Sequence, residues 1–158
     1  MVPERPPRKL EDLTVGETRR SASRTISEAE IVEFAKEFDP QWFHTDPEAA
    51  RASHFGEVVA SGVHILALWR QLDHQINSDI DFVCGIGFDE FRLKNALRAD
   101  DKVYATSRIL SIEPSKSGKP RGTTVTRFEL RNQKEEIVLH FNSINLVYSR
   151  AVTQGQHN

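Results

Sequence analysis

Between Val63 and Ile76 the apolar residues Ile65, Leu66, Leu68, Trp69, Leu72 and Ile76 cover more of a helical circumference than one narrow stripe. A helix of that kind is buried on most of its sides, so the chain must supply a surface that wraps it. Four segments rich in Val, Ile, Thr, Phe and Tyr follow, at residues 88–97, 102–112, 123–131 and 137–148. The pieces between them, 99–101, 115–122 and 132–136, are short and mostly polar, which predicts strands joined mainly as antiparallel hairpins. Helices first and strands later is an α+β order rather than alternating βαβ units, and 158 residues suit a single domain.

Upstream of the central helix, the Ser- and Thr-rich stretch from Thr18 to Ile26 predicts a first strand. Ser27-Glu28-Ala29-Glu30 has the form of a capping box, and Ile31, Phe34, Ala35 and Phe38 follow at helical spacing, so residues 28–38 should form an amphipathic helix. Pro40 disfavours helical backbone at Asp39 and ends that helix. Asp46-Pro47 reads as an N-cap followed by proline at the first helical position, with a short helix to about Ala52 and Gly56 in a C-terminal turn. His44 should therefore lie just before a second helix, on a non-helical loop shared with Asp39. A carboxylate and an imidazole on one short loop can together hold a water molecule; on spacing alone a helix stop and a packed side chain are the commoner reading.

The net charge is −2 with both signs interspersed, which points to neither a nucleic-acid surface nor a polybasic membrane anchor. Residues 1–9 read as a flexible arm, residues 10–150 as the domain and residues 151–158 as a polar tail. Neither a signal-type apolar region nor a bilayer-spanning segment is present, and Cys84 stands alone, read as a small buried apolar residue; a cytoplasmic protein is expected. His54, His64 and His74 recur at a ten-residue interval that shares no helical face, so no metal is assigned to them. His140 is expected as a satisfied sheet residue, and Gly85 and Gly87 as a turn before the strand at Phe88. Gln41, Trp42 and Phe43 suit either the lining of a ligand pocket or ordinary core. Lys116, Lys119 and Arg121 suit either the phosphates of a ligand or a solvated hairpin tip.

Asp39 with His44 five positions on, Thr45-Asp46-Pro47-Glu48-Ala49-Ala50 and Phe55-Gly56-Glu57-Val58-Val59-Ala60-Ser61-Gly62 together resemble the MaoC-like dehydratase family, which includes the (R)-specific enoyl-CoA hydratases. Phe91 to Val103 resembles the family strand and turn that usually contain Pro-Gly-Asp, here Ala99-Asp100-Asp101, and Asn132-Gln133 with Glu136-Ile137-Val138 resembles its last hairpin. The likeness spans roughly Leu10 to Tyr148. It implies a hot-dog fold, a curved antiparallel sheet around a long central helix, and a homodimer as the smallest assembly. It implies a thioester substrate carried on coenzyme A or an acyl carrier, and no cofactor. Residue by residue, Asp39 and His44 become the catalytic pair, Gly62 the source of the N–H that polarises the thioester carbonyl, and Ser61, in place of a frequent His, a neighbour of the substrate. Here Gln41 and Trp42 stand where the hydratases usually carry Asn and Pro.

Adding water across an enoyl thioester requires a nucleophilic water, a proton for the α-carbon, and stabilisation of the enolate. A proton-sharing pair and an N–H at a helix N-terminus match those needs. Aromatic neighbours should exclude water and bring the proton affinities of Asp39 and His44 together. The expected activity is a hydro-lyase acting on 2-enoyl and 3-hydroxyacyl thioesters. A hot-dog thioesterase or a non-catalytic acyl-binding protein are the alternatives.

Overall fold

The computed structural model describes residues 3–150. Strands β1 (Thr18–Arg20) and β2 (Arg24–Thr25) precede helices α1 (Glu28–Phe38), α2 (Trp42–Thr45), α3 (Pro47–Ala50) and α4 (Gly62–Asn77), and strands β3 (Phe82–Leu93), β4 (Lys102–Pro114), β5 (Arg121–Arg131) and β6 (Ile137–Tyr148) follow. The order is α+β, as expected. The long strands run in the sheet order β1-β4-β5-β6-β3, with β2 also on β4, and the pairings are antiparallel. The single first strand expected over Thr18 to Ile26 is thus two short pieces.

Helix α4 lies against the sheet. Its Ile65, Leu68, Trp69 and Leu72 share one core with Val103, Ala105, Phe128, Leu130, Leu139 and Phe141 of the strands. Trp69 is the hub, in edge-on contact with Phe128 at 4.8 Å and Phe141 at 4.6 Å. Helix α1 starts as its capping box dictates: the Ser27 hydroxyl accepts from the Glu30 N–H at 3.1 Å, and Glu30 accepts from the Ser27 N–H. Its inner face is Ile31 and Ala35; Phe38, expected on that face, is 61% exposed because the helix ends there.

Several expectations change. β3 begins at Phe82 rather than Phe88, so Gly85 and Gly87 lie within the strand, between register shifts that bend it. Cys84 on this edge is exposed, not buried. Residues 99–101 do not close a hairpin, because β3 pairs with β6, and both β5 and β6 lie between β3 and β4. That turn is instead a junction: Asp101 accepts from the Arg98 N–H and the Gln133 side chain, and Ile26 exchanges backbone hydrogen bonds with Asp100 and Asp101. The segment expected as a flexible arm is tied down over its described part. The Arg8 N–H donates to Asp79, the Asp81 N–H donates to the Arg8 carbonyl, and Lys9 pairs with the buried Asp81 at 2.6 Å. The tail at 151–158 lies outside the described residues.

Candidate active site

Asp39 follows the last residue of α1 with φ −155° and ψ 72°, the non-helical backbone that Pro40 favours. Both carboxylate oxygens are occupied. Gln41 Nε2 donates to Oδ1 at 3.0 Å, and Ser61 Oγ donates to Oδ2 at 2.6 Å. These two hydrogen bonds, Ser61 first, hold the Asp39 pKa below the ordinary carboxylate value; burial opposes them, and nearby His44 adds a smaller lowering effect. The expected convergence of acid and imidazole through aromatic desolvation is therefore replaced by a hydrogen-bonded carboxylate that stays ionised.

His44 lies just ahead of α3, as expected, but inside the one-turn helix α2 rather than on a non-helical loop, because the 41–45 backbone closes its own turn before Asp46 caps the next. The ring is buried, and Nδ1 lies 2.6 Å from the Val59 carbonyl oxygen. A carbonyl only accepts, so Nδ1 carries the proton and the neutral ring leaves the Nε2 lone pair free. Nε2 faces Asp39 Oδ2 at 3.6 Å. That gap is too long for a direct hydrogen bond and leaves both atoms able to share one bridging oxygen.

The third component is the start of α4. The first N–H groups of a helix have no intrahelical acceptor, and a serine at the N-cap usually satisfies one of them. Ser61 occupies that position yet makes no capping bond, its hydroxyl being committed to Asp39. The amino end of a sixteen-residue helix is thus left uncapped by its own N-cap side chain, beside the Asp39–His44 pair. A Cβ on Gly62 would lie 2.7 Å from Leu93 Cδ1, so a larger residue there would have to displace the Leu93 side chain at the end of β3.

One pocket of about 430 Å³ joins Asp39, His44 and Gly62, walled by Phe43, Phe55, Ile65 and Leu93. Of the residues assigned to the acyl pocket, Phe43 lines it, while Trp42 is half-exposed and packs edge-on against Phe43. Gln41 borders the pocket but is spent on the carboxylate, and Ser61, 1% exposed, is spent there too. Lys116 and Lys119, with Arg121 at the start of β5, belong to the β4–β5 hairpin tip. Leu93, at the pocket, is joined through Leu139 and Leu130 to Ala105, nine β4 residues from Pro114 beside the tip, or roughly 30 Å along the sheet. Within one chain these cations do not reach the pocket. Lys94, overlooked in the sequence, borders it instead; its only signal is a cation placed directly after the apolar end of β3. His140 is not satisfied as expected: its Nδ1 is buried without a hydrogen-bond partner, and burial, with Arg127 second, lowers its pKa.

Comparison with known proteins places these features in context. The family model described as "MaoC like domain" matches residues 11–132. A 3-hydroxyacyl-thioester dehydratase Z of Mycobacterium tuberculosis is 32% identical over 109 residues, covering 67% of this chain and 72% of that protein. The crystal structure of a MaoC-like dehydratase from Rhodospirillum rubrum superposes with a TM-score of 0.83 at 36% identity, covering 90% of this chain and 98% of the other. A Mycobacterium tuberculosis protein with a double hot-dog fold superposes at 0.75, with 12% identity over 90% of this chain and 44% of its own, a likeness of fold.

Proposed function

Since this chain belongs to the MaoC-like dehydratase family, we propose that it is a hydro-lyase that reversibly hydrates a 2-enoyl thioester to the 3-hydroxyacyl thioester. The observation that carries this reading is the 3.6 Å separation of His44 Nε2 and Asp39 Oδ2 beside the amino end of α4. A water between those atoms donates one hydrogen to each. His44 Nε2 takes the proton as the oxygen bonds to C3, and the negative charge moves to the thioester oxygen, where the Gly62 N–H and the helix dipole stabilise it. The imidazolium then returns a proton to C2. One O–H bond and the C2–C3 π bond break, one C–O and one C–H bond form, and the pair regains its starting protonation. The Asp39 anion holds the water's second hydrogen and stabilises the transient imidazolium.

Lys94 at the pocket rim suits a carrier phosphate better than the distant hairpin cations. Family membership also supports a homodimer. β3 suits that contact, being an edge strand with Phe82, Ile86, Phe88 and Leu93 all exposed in the single chain. Among the described residues no helix is long and apolar enough to cross a membrane. We assign the protein to cytoplasmic acyl-thioester metabolism, fatty acid metabolism included.

The test is a parallel assay on a 2-enoyl-CoA. Loss of enoyl absorbance without release of free thiol is expected; thiol release with the double bond intact would assign a thioesterase instead. Binding without either change would leave an acyl-binding protein.

A further inference from the structure

A second cavity, of about 180 Å³, lies between the later turns of α4 and the inner face of the sheet. The inward rows of three adjacent strands change character there. β5 runs from Leu130 and Phe128 to Thr126 and Thr124, β6 from Leu139 and Phe141 to Ser143 and Asn145, and β4 from Val103 and Ala105 to Ser107. These polar residues are all at least nine-tenths buried. An ordinary core would carry valine or leucine at such positions, because a buried hydroxyl without a partner costs free energy. Among the described residues no side-chain hydrogen bond joins Ser107, Thr124 or Thr126 to a partner. Trp69, 1% exposed, walls the cavity, and its indole N–H also has no partner.

The charges around this chamber are already neutralised. Asp73 accepts from Arg70 at 2.9 Å and from Asn77 at 2.8 Å. Arg19 grips Asp79 through two bonds, at 2.7 and 2.9 Å, and Glu17 is paired with Arg8. Hydroxyls, amides and an aromatic floor of Trp69 and Phe128, with no unpaired charge, suit an uncharged group bearing a hydroxyl or carbonyl. Exposed Arg70, His74 and Phe82 form the outer rim. The chamber and the catalytic pocket share no lining residue and are separated by the packed core around Trp69, which is one helical turn beyond Ile65 and about 10 Å along α4 from Gly62.

We propose that this chamber is a binding site for a small, uncharged, hydroxyl- or carbonyl-bearing group. Two sources supply that chemistry: a free small molecule entering at the rim, or the far end of an acyl chain whose thioester sits at Gly62. Only the second rests on the hydratase reading. The probe is the indole N–H resonance of Trp69, distinguished from that of Trp42 by a Trp42→Phe protein. It is followed during titration with butane-1,4-diol, and with two medium-chain 2-enoyl-CoA thioesters of equal length, one ending in hydroxyl and one in methyl. A saturable shift with the diol assigns a free ligand; a shift with the hydroxyl-ended thioester, bound about tenfold tighter than its methyl-ended match, assigns the acyl end. In either case Thr124→Val with Thr126→Val should abolish the preference, and Ser143→Ala provides the same comparison if the double variant does not fold. No saturable shift with any probe, or a preference that survives these substitutions, overturns the proposal. The readout is binding, so it stands apart from whether the enoyl group is hydrated.

Discussion

Ser61 connects two features of the site that are otherwise separate. By donating to Asp39 at 2.6 Å it holds the carboxylate ionised, and by doing so it leaves the α4 amino end uncapped by its own N-cap side chain. Ser61→Ala removes the larger of the two hydrogen bonds that lower the Asp39 pKa, so that pKa should rise toward the ordinary carboxylate value. The acid limb of kcat/KM should then move to higher pH, with the alkaline limb in place; an unmoved acid limb would mean that Asp39 ionisation does not control activity. The sign for stability is the same. A lowered folded-state pKa stabilises above the unfolded carboxylate value and loses that contribution as pH falls through the folded value, so Ser61→Ala should flatten the acid end of the stability curve. Asp39→Asn and His44→Ala should each lower hydration about 10²–10⁴-fold, the usual worth of acid–base groups, with folding checked by circular dichroism. Neither the Ser61 nor the Val59 contact was legible in the sequence, because each bridges a loop residue to a position more than ten residues away.

At the scale of elements, what local rules govern was readable and what pairing governs was not. The Ser27 capping box, the Asp46-Pro47 start of α3 and the apolar circumference of α4 each specify an element through neighbouring residues, and each stands where expected. The front of β3 was hidden because Gly85 and Gly87 resemble turn residues, although as an edge strand it tolerates both with register shifts. The contact between α1 and α4 supplies a further test. His64 stacks on Phe34 at 4.2 Å, and burial lowers its pKa to about 4, with Glu30 raising it and Arg24 lowering it. A histidine held neutral in the fold costs stability as pH falls from its ordinary value of 6.5 toward about 4, since the unfolded chain takes up the proton first. His64→Phe should flatten urea-derived stability across that window; an unchanged slope would mean that His64 titrates normally in the folded protein.

For the whole molecule, a sheet packed on α4 was predictable because its apolar residues need a cover, although the helix, expected to be buried on most sides, leaves Val63, Ala67, Arg70, Gln71, His74 and Gln75 exposed in the single chain; strand order was not predictable, since β3 and β4 are consecutive in sequence and separated in the sheet. That order leaves β3 as an edge with exposed apolar residues. Ile86→Lys, at a position 56% exposed in the single chain, should convert a dimer to monomer in sedimentation if this edge is the interface, and leave the assembly unchanged if it is not. Inside the sheet, Phe141→Ala should cost about 3–5 kcal/mol of unfolding free energy by emptying the space beside Trp69. The central claim is that one water, held between Asp39 and His44, supplies both the oxygen and, through the imidazole, the proton. The direct test is hydration of a 2-enoyl-CoA in D₂O, with the relative configuration of C2 and C3 read by NMR. Deuterium and hydroxyl added to the same face is the predicted result; addition to opposite faces would contradict it.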